Sequence, residues 1–239
     1  FDSKDPDDYV KGFPWHPQSG IETVTYLIDG RIEHEDSLGN KGTIYGGDCQ
    51  WMTAGSGIVH KEMLIESPHL LGVQLWVNLP SEKKMVNPEY HNIESYEIKA
   101  AETEKAVVKV ISGSYGGVSG TVESAGADIS LLDVEVKPYE NFEYRTDTTL
   151  NVSAFVIGGK GFFDEERNDF VSKGTLAHFE EGERIEVAAS SEGVRFLLLA
   201  GMPLKEEIAW RGPIVMNSKD ELEKAFEELD MGTFVKNKD

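Results

Sequence analysis

Two short segments of this chain combine residue types that can hold a metal ion: His16-Pro17-Gln18 and His60-Lys61-Glu62. On an extended strand, residues i and i+2 point to the same side. His16 and Gln18 can therefore aim at one point, and His60 and Glu62 at another. If the two strands face each other inside a barrel, the four donors converge, and the hairpins between the segments are expected to bring residues about 42 positions apart into one small sheet. Imidazole and carboxylate donors together suit Fe(II), Mn(II), Ni(II) or Zn(II). Spacing alone leaves a plainer reading open, because a His-x-Glu pair on a strand is commonly a solvated pair. His34, with Glu33, Glu35 and Asp36 around it, is expected at the surface or as a hairpin partner. His69, His91 and His178 are read as non-ligands.

Short β segments must position these residues. Residues 21–28 are rich in β-branched and aromatic side chains and read as a strand, and further strands are expected at 31–36, 43–45, 49–53, 58–64 and 71–79, with turn signals such as Asp29-Gly30, Gly39-Asn40 and Gly46-Gly47-Asp48 between them. Strands this short, with turn signals every eight to twelve residues, point to a sandwich or barrel and not to alternating strands and helices. The second half repeats the style at 129–136, 151–157, 161–163, 175–179 and 194–199, with turns expected at Gly158-Gly159 and Glu181-Gly182. The charged stretch 97–105 and the glycine-rich run Gly113 to Gly117 place a boundary between domains of residues 1–112 and 113–239. One helix is expected near the end. Ser218 and Glu221 form a capping box, and Leu222, Ala225, Phe226 and Leu229 make an apolar stripe. The tail 236–239 is polar and expected to fray.

The chain has 239 residues, 39% hydrophobic, enough for two domains with cores of their own. Forty-three acidic against 23 basic residues give a net charge of −20, which argues against a nucleic-acid partner, since phosphate binding needs clustered Lys and Arg. No apolar run approaches a membrane span. Cys49 is the only cysteine, so no internal disulfide can form and a reducing, cytoplasmic setting is expected. The start at Phe1 has neither an initiator Met nor signal-peptide character, and is read as a truncation or as following an upstream segment.

Several runs resemble the signature of the pirin family. They are Phe13-Pro14-Trp15-His16-Pro17 with Gly20 to Tyr26, Gln50-Trp51-Met52-Thr53-Ala54-Gly55, Gly57 to Met63, and Gln74 to Pro80. Weaker matches follow at Ala200-Gly201 and Gly212-Pro213. The resemblance implies an all-β bicupin, two β-barrels with a C-terminal helix, in which only the first barrel carries a metal site. The ligands it implies here are His16, His60 and Glu62, most often for Fe(II). This chain departs from the pattern at the fourth ligand, where Gln18 replaces a histidine, and at the next position, where Ser19 replaces an arginine and removes a positive charge near the expected pocket mouth. Two histidines and one carboxylate still make up the donor set of a non-haem iron facial triad. Glu22 falls where many cupins outside this family place a metal-binding glutamate; an ordinary strand carboxylate is the preferred reading.

Three functions follow from the resemblance. One is a quercetin 2,3-dioxygenase-type oxidoreductase acting on a flat aromatic flavonol and O2, with Glu62 as ligand and base. A second is a metal-dependent regulator that binds a protein partner without turnover. A third is a metal-free binding member, suggested by Gln18 and Ser19. Trp51, Met52 and Trp76 are expected to pack the barrel or to line a pocket for an aromatic ligand.

Overall fold

The structure is a computed structural model that describes residues 1–122, 126 and 128–236. The expected end of the tail, 237–239, lies outside the described residues. Apart from the helix Lys219–Asp230 and short 3-10 turns, the regular elements are β-strands.

The first compact unit contains Phe1–Ser95 and the C-terminal segment from Lys205. Its strands form a two-stranded ribbon of Ala209–Arg211 with Ile214–Met216 and two larger sheets. One runs in the order Asp2–Ser3, Leu70–Asn78, Ile21–Asp29, Cys49–Thr53, Glu89–Ile93, and the other Phe13–Gln18, Ile58–Ile65, Arg31–Asp36, Lys41–Tyr45. The two-residue alternation predicted from sequence decides what each strand buries. Strand Ile58–Ile65 alternates buried and half-buried positions along its whole length, with Ile58, His60, Glu62 and Leu64 buried. Strand Ile21–Asp29 places Ile21, Thr23, Thr25 and Leu27 on one face, and Arg31–Asp36 places Ile32, His34 and Asp36 together.

The apolar ends of these rows join separate clusters. Ile21 and Ile58 pack with Met52, Ala54 and Val215. Leu27, Ile32 and Leu64 pack with Tyr9, Ile44 and Leu70. The interior is thus apolar at both ends and polar between them, so burial that stabilises the sheets also encloses a belt of polar side chains.

The C-terminal segment belongs to this unit. A parallel bridge joins Ser19 to Ile214, and the Val215 N–H donates to the Ser19 carbonyl at 3.0 Å. Helix Lys219–Asp230 starts as the sequence reading expects: Ser218 Oγ accepts from the Glu221 N–H at 3.2 Å. The helix buries Ala225 against Ile214, Met216 and Phe234, and partly buries Leu222, Phe226 and Leu229. It therefore packs with the first unit, whereas the 112/113 division groups it with the second half. The reason is pairing: the docking surface for residues 214–216 is the edge at Ser19. Gly20 makes this approach feasible. It has φ +76°, and a Cβ there would lie 1.8 Å from the Val215 carbonyl oxygen.

The second unit takes most of the chain between Tyr96 and Leu204. Its main sheet runs Lys99–Glu102, Ala106–Ser112, Ile129–Val136, Arg184–Gly201, Asn151–Phe162, Val171–Ser172. The charged stretch expected between domains is thus partly strand. Gly158-Gly159, expected as a turn, is instead a register irregularity inside a continuous twelve-residue strand. Strand Asn141–Arg145 was not anticipated, although its alternating buried Phe142 and Tyr144 carry the period-two signal. The interior of this unit is filled by Phe142, Tyr144, Phe163 and Phe196 among aliphatic neighbours. Its histidine, His178, sits at the surface and meets Ser153 Oγ at 2.9 Å.

Candidate metal centre

Strands Phe13–Gln18 and Ile58–Ile65 are antiparallel neighbours in one sheet, with His16 directly opposite His60 and Gln18 opposite Ile58. The two segments thus share one small sheet, as expected from the hairpins between them, and are not set face to face across the barrel. Convergence comes from adjacency in the ladder, where paired side chains share a face. The imidazole rings of His16 and His60 lie 4.3 Å apart between centroids, tilted by 51°. Ligand atoms of His16, His60 and Glu62 all fall within 4.8 Å of one another, the one such group of metal-type donors among the described residues. His60 and Glu62 are buried and His16 half-buried, so any open side of the group is the His16 side.

The protonation chemistry of the group suits metal binding. Burial, with smaller contributions from His16 and His34, pulls His60 down to about 3, so its ring is neutral at ordinary pH with a lone pair to give. Its Nε2 is buried and has no hydrogen-bond partner. His16 Nδ1 is engaged by the Pro14 carbonyl at 2.8 Å, which leaves Nε2 as the free nitrogen. Burial pushes the Glu62 carboxyl up, opposed by hydrogen bonds from Gln74 and Thr25 and by His16.

Gln18 is only 1% exposed, and neither its Nε2 nor its Oε1 has a partner. A buried primary amide with no hydrogen bond costs on the order of 1–3 kcal/mol per group. A cation at the group would give Oε1 and the His60 nitrogen the partner both lack. The residues present thus fit a divalent metal, by donor set and by these unsatisfied buried atoms.

A ring of polar side chains surrounds the ligands, and the sequence reading did not identify it. Gln74 Nε2 lies 2.9 and 2.7 Å from the two Glu62 oxygens and 3.0 Å from Thr25 Oγ1, while Thr25 Oγ1 donates to Glu62 at 3.2 Å. His34 is opposite Gly42 in its hairpin, one of its two expected placements, and opposite Glu62 on the other side, but it is buried and not at the surface. It meets the Tyr90 hydroxyl, which also contacts Gln50. The signal was available: Ile32, His34 and Asp36 form the inward row, and Glu33 and Glu35 the outward one.

Other expectations resolve differently. Ser19 is buried, its hydroxyl donates to the Gly55 carbonyl at 2.8 Å, and it lines a cavity with Ser56, Met216 and Ala225, apart from the donor group. Glu22 is on the face of its strand opposite Thr25, where it accepts from Thr53 Oγ1 at 2.7 Å, and it stands outside the donor group. Trp51 and Met52 are buried as expected, but Trp76 is 44% exposed. Cys49 is a buried core residue. His69 pairs with Asp2 and Asp29, and His91 with Glu89, away from the centre.

A β-barrel enclosing two histidines and a glutamate on neighbouring strands defines a cupin with a candidate metal centre. The match with known proteins is narrower: the chain belongs to the pirin family. The Pirin family matches residues 1–77 and the Pirin C-terminal cupin domain matches residues 131–235. A Thermoplasma acidophilum protein provisionally named quercetin 2,3-dioxygenase is 38% identical over 258 residues, covering 100% of this chain and 98% of its own. Pirin-1 of Arabidopsis thaliana is 39% identical over 91% of this chain and 76% of its own. Among solved structures, quercetin 2,3-dioxygenase from Acinetobacter baumannii is similar at 33% identity and TM-score 0.85, covering 93% of this chain and 79% of that one. The bacterial pirin YhhW from Escherichia coli, in complex with nickel(II), is similar at 25% identity and TM-score 0.63, covering 80% and 76%. The fold is accordingly the two-barrel bicupin of this family.

Proposed function

We propose that this chain binds one divalent metal, Fe(II) by preference, through His16, His60 and Glu62, and acts as a quercetin 2,3-dioxygenase-type oxidoreductase on a flavonol and O2. The observation that carries the reading is the convergence of three metal-type donors within 4.8 Å, with His60 Nε2 buried and unsatisfied among them; Gln18, two residues from His16 on the same strand, is likewise buried and unsatisfied. Support for the substrate class comes from the similar proteins named for that activity. No helix of the described residues is long and apolar enough to cross a membrane. A cytoplasmic setting is part of the proposal, in keeping with the single, buried Cys49.

Each residue has a distinct part. His16 presents Nε2 with its Nδ1 held by the Pro14 carbonyl, and His60 presents a nitrogen kept unprotonated by burial. Gln18 offers an amide oxygen in place of an imidazole, a harder and weaker donor. When bound, the metal supplies Lewis acidity and a meeting point for substrate hydroxyl and O2. Glu62 acts as ligand and as the base that receives the flavonol hydroxyl proton at a carboxylate oxygen. Burial favours its protonated form, and Gln74 and Thr25 hold it for the exchange. Trp76 offers an exposed aromatic face for a ring.

The test is elemental analysis of untagged protein reloaded with Fe(II), followed by O2 uptake with quercetin. About one metal per chain, lost in His60→Ala, together with quercetin-dependent O2 uptake is expected. Protein that keeps no metal would overturn the reading. Metal retention without O2 uptake would keep the centre and reject the dioxygenase.

A further inference from the structure

Strand Leu70–Asn78 carries a connection that the donor group alone does not reveal. Gln74 and Trp76 are two residues apart and point to the same face, opposite Thr25 and Thr23 of the neighbouring strand. The amide of Gln74 is used at both ends. Its Nε2 reaches both oxygens of Glu62 and Thr25 Oγ1, and its Oε1 accepts from the Trp76 indole N–H at 3.4 Å.

These contacts determine which way the amide points. An indole N–H can only donate, so the Gln74 atom beside it must be the oxygen. The NH2 group is then directed at Glu62, where a carboxylate can only accept. A flipped amide would set N–H against N–H at Trp76 and oxygen against oxygen at Glu62. The Trp76 donor therefore favours the one orientation in which Gln74 holds the carboxylate, and Trp76 is at the same time 44% exposed.

We infer that Gln74 is a positioning residue for Glu62 and that Trp76, acting through Gln74, sets that position from the solvent side. The inference rests on the reading of Glu62 as a metal ligand. It adds a specificity element: a flat ring that stacks on Trp76 contacts the residue that orients the amide behind the metal-binding carboxylate. Thr25 completes the relay, accepting from Gln74 and donating to Glu62.

Two measurements on the full chain test it. The first is Ni(II) affinity by calorimetric titration of metal-free protein. Gln74→Met keeps the volume and removes the donors, and is expected to weaken binding about 10–100-fold, the usual effect of losing an outer-shell partner. Trp76→Phe keeps a ring and removes only the N–H, and is expected to weaken binding less. The double variant should be no weaker than Gln74→Met alone, because Trp76 works through Gln74. Unchanged affinity in Gln74→Met, or losses that simply add, would overturn the inference.

The second measurement needs no metal. In a proton–nitrogen correlation spectrum of metal-free protein, the Trp76 indole resonance is identified by its loss in Trp76→Phe. It is expected to shift in Gln74→Met and also in Glu62→Gln, a substitution beyond the amide. An indole signal indifferent to Glu62→Gln would reject the relay even if the wild-type chain bound no Ni(II). Failure of metal binding with the indole response intact would instead reject only the metal-centre reading.

Discussion

The rings of His16 and His60 stand opposite one another on adjacent antiparallel strands, with centroids 4.3 Å apart. Burial, with a smaller contribution from His16, keeps the His60 ring unprotonated and its nitrogen available as a donor. Four expected outcomes rest on the proposed metal centre and on the packing of the two units.

Metal should stabilise the folded chain. The unfolded chain has no preformed site, so ligand at about 1,000 times its dissociation constant adds about 4 kcal/mol to the unfolding free energy. Urea denaturation with Ni(II), compared with the same protein in chelator, is expected to show a higher midpoint, and the gain should vanish in His60→Ala.

Gln18 substitutions should separate affinity from stability. Gln18→His restores an imidazole donor and is expected to tighten metal binding by about tenfold or more. Gln18→Leu removes two buried, unpartnered polar atoms, so the metal-free protein should gain about 1 kcal/mol while its metal affinity falls. Paired denaturation and metal titration of the two variants check both signs.

Lys84 should make stability rise with alkaline pH. Its Nζ donates to the Gly20 carbonyl at 2.9 Å, Asn78 Oδ1 at 2.6 Å and the Val215 carbonyl at 3.2 Å, tying the C-terminal segment to the first unit's sheet. Burial lowers this ammonium to about 8, against Glu206 and Glu221, which raise it. Between about 8 and the ordinary value of 10.5 the unfolded chain binds more protons than the folded one, so Lys84 contributes a stability that grows with pH across that window. Denaturation at pH 7.5 and pH 10 is expected to show this rise in wild type relative to Lys84→Met. The variant should be less stable at both, by about 2 kcal/mol, because three acceptors lose their donor.

In the second unit, Arg195 holds the buried Asp133 through two bonds, Nε to Oδ1 at 2.9 Å and Nη2 to Oδ2 at 2.6 Å. Removing the cation leaves a carboxylate in a site 2% exposed. Arg195→Met is expected to cost about 3 kcal/mol, and Asp133→Asn/Arg195→Met less than that, as measured by urea denaturation.

The sequence by itself determined the β class, the row Ile58-His60-Glu62-Leu64, the capped terminal helix and the family, because alternation, caps and signature strings are local properties of the chain. The residues His16, His60 and Glu62 were legible in the same way, as two i, i+2 pairs. Tertiary structure alone decided the register that sets His16 opposite His60, since register depends on pairings between distant segments. It also decided that His34, Tyr90, Gln50 and Gln74 surround the ligands, that Glu22 faces away, and that Ser19 pairs with residues 214–215 at the C-terminal segment. Alternation divides a strand into two faces, but only the packed fold, by excluding water from one or both, says which face is the interior.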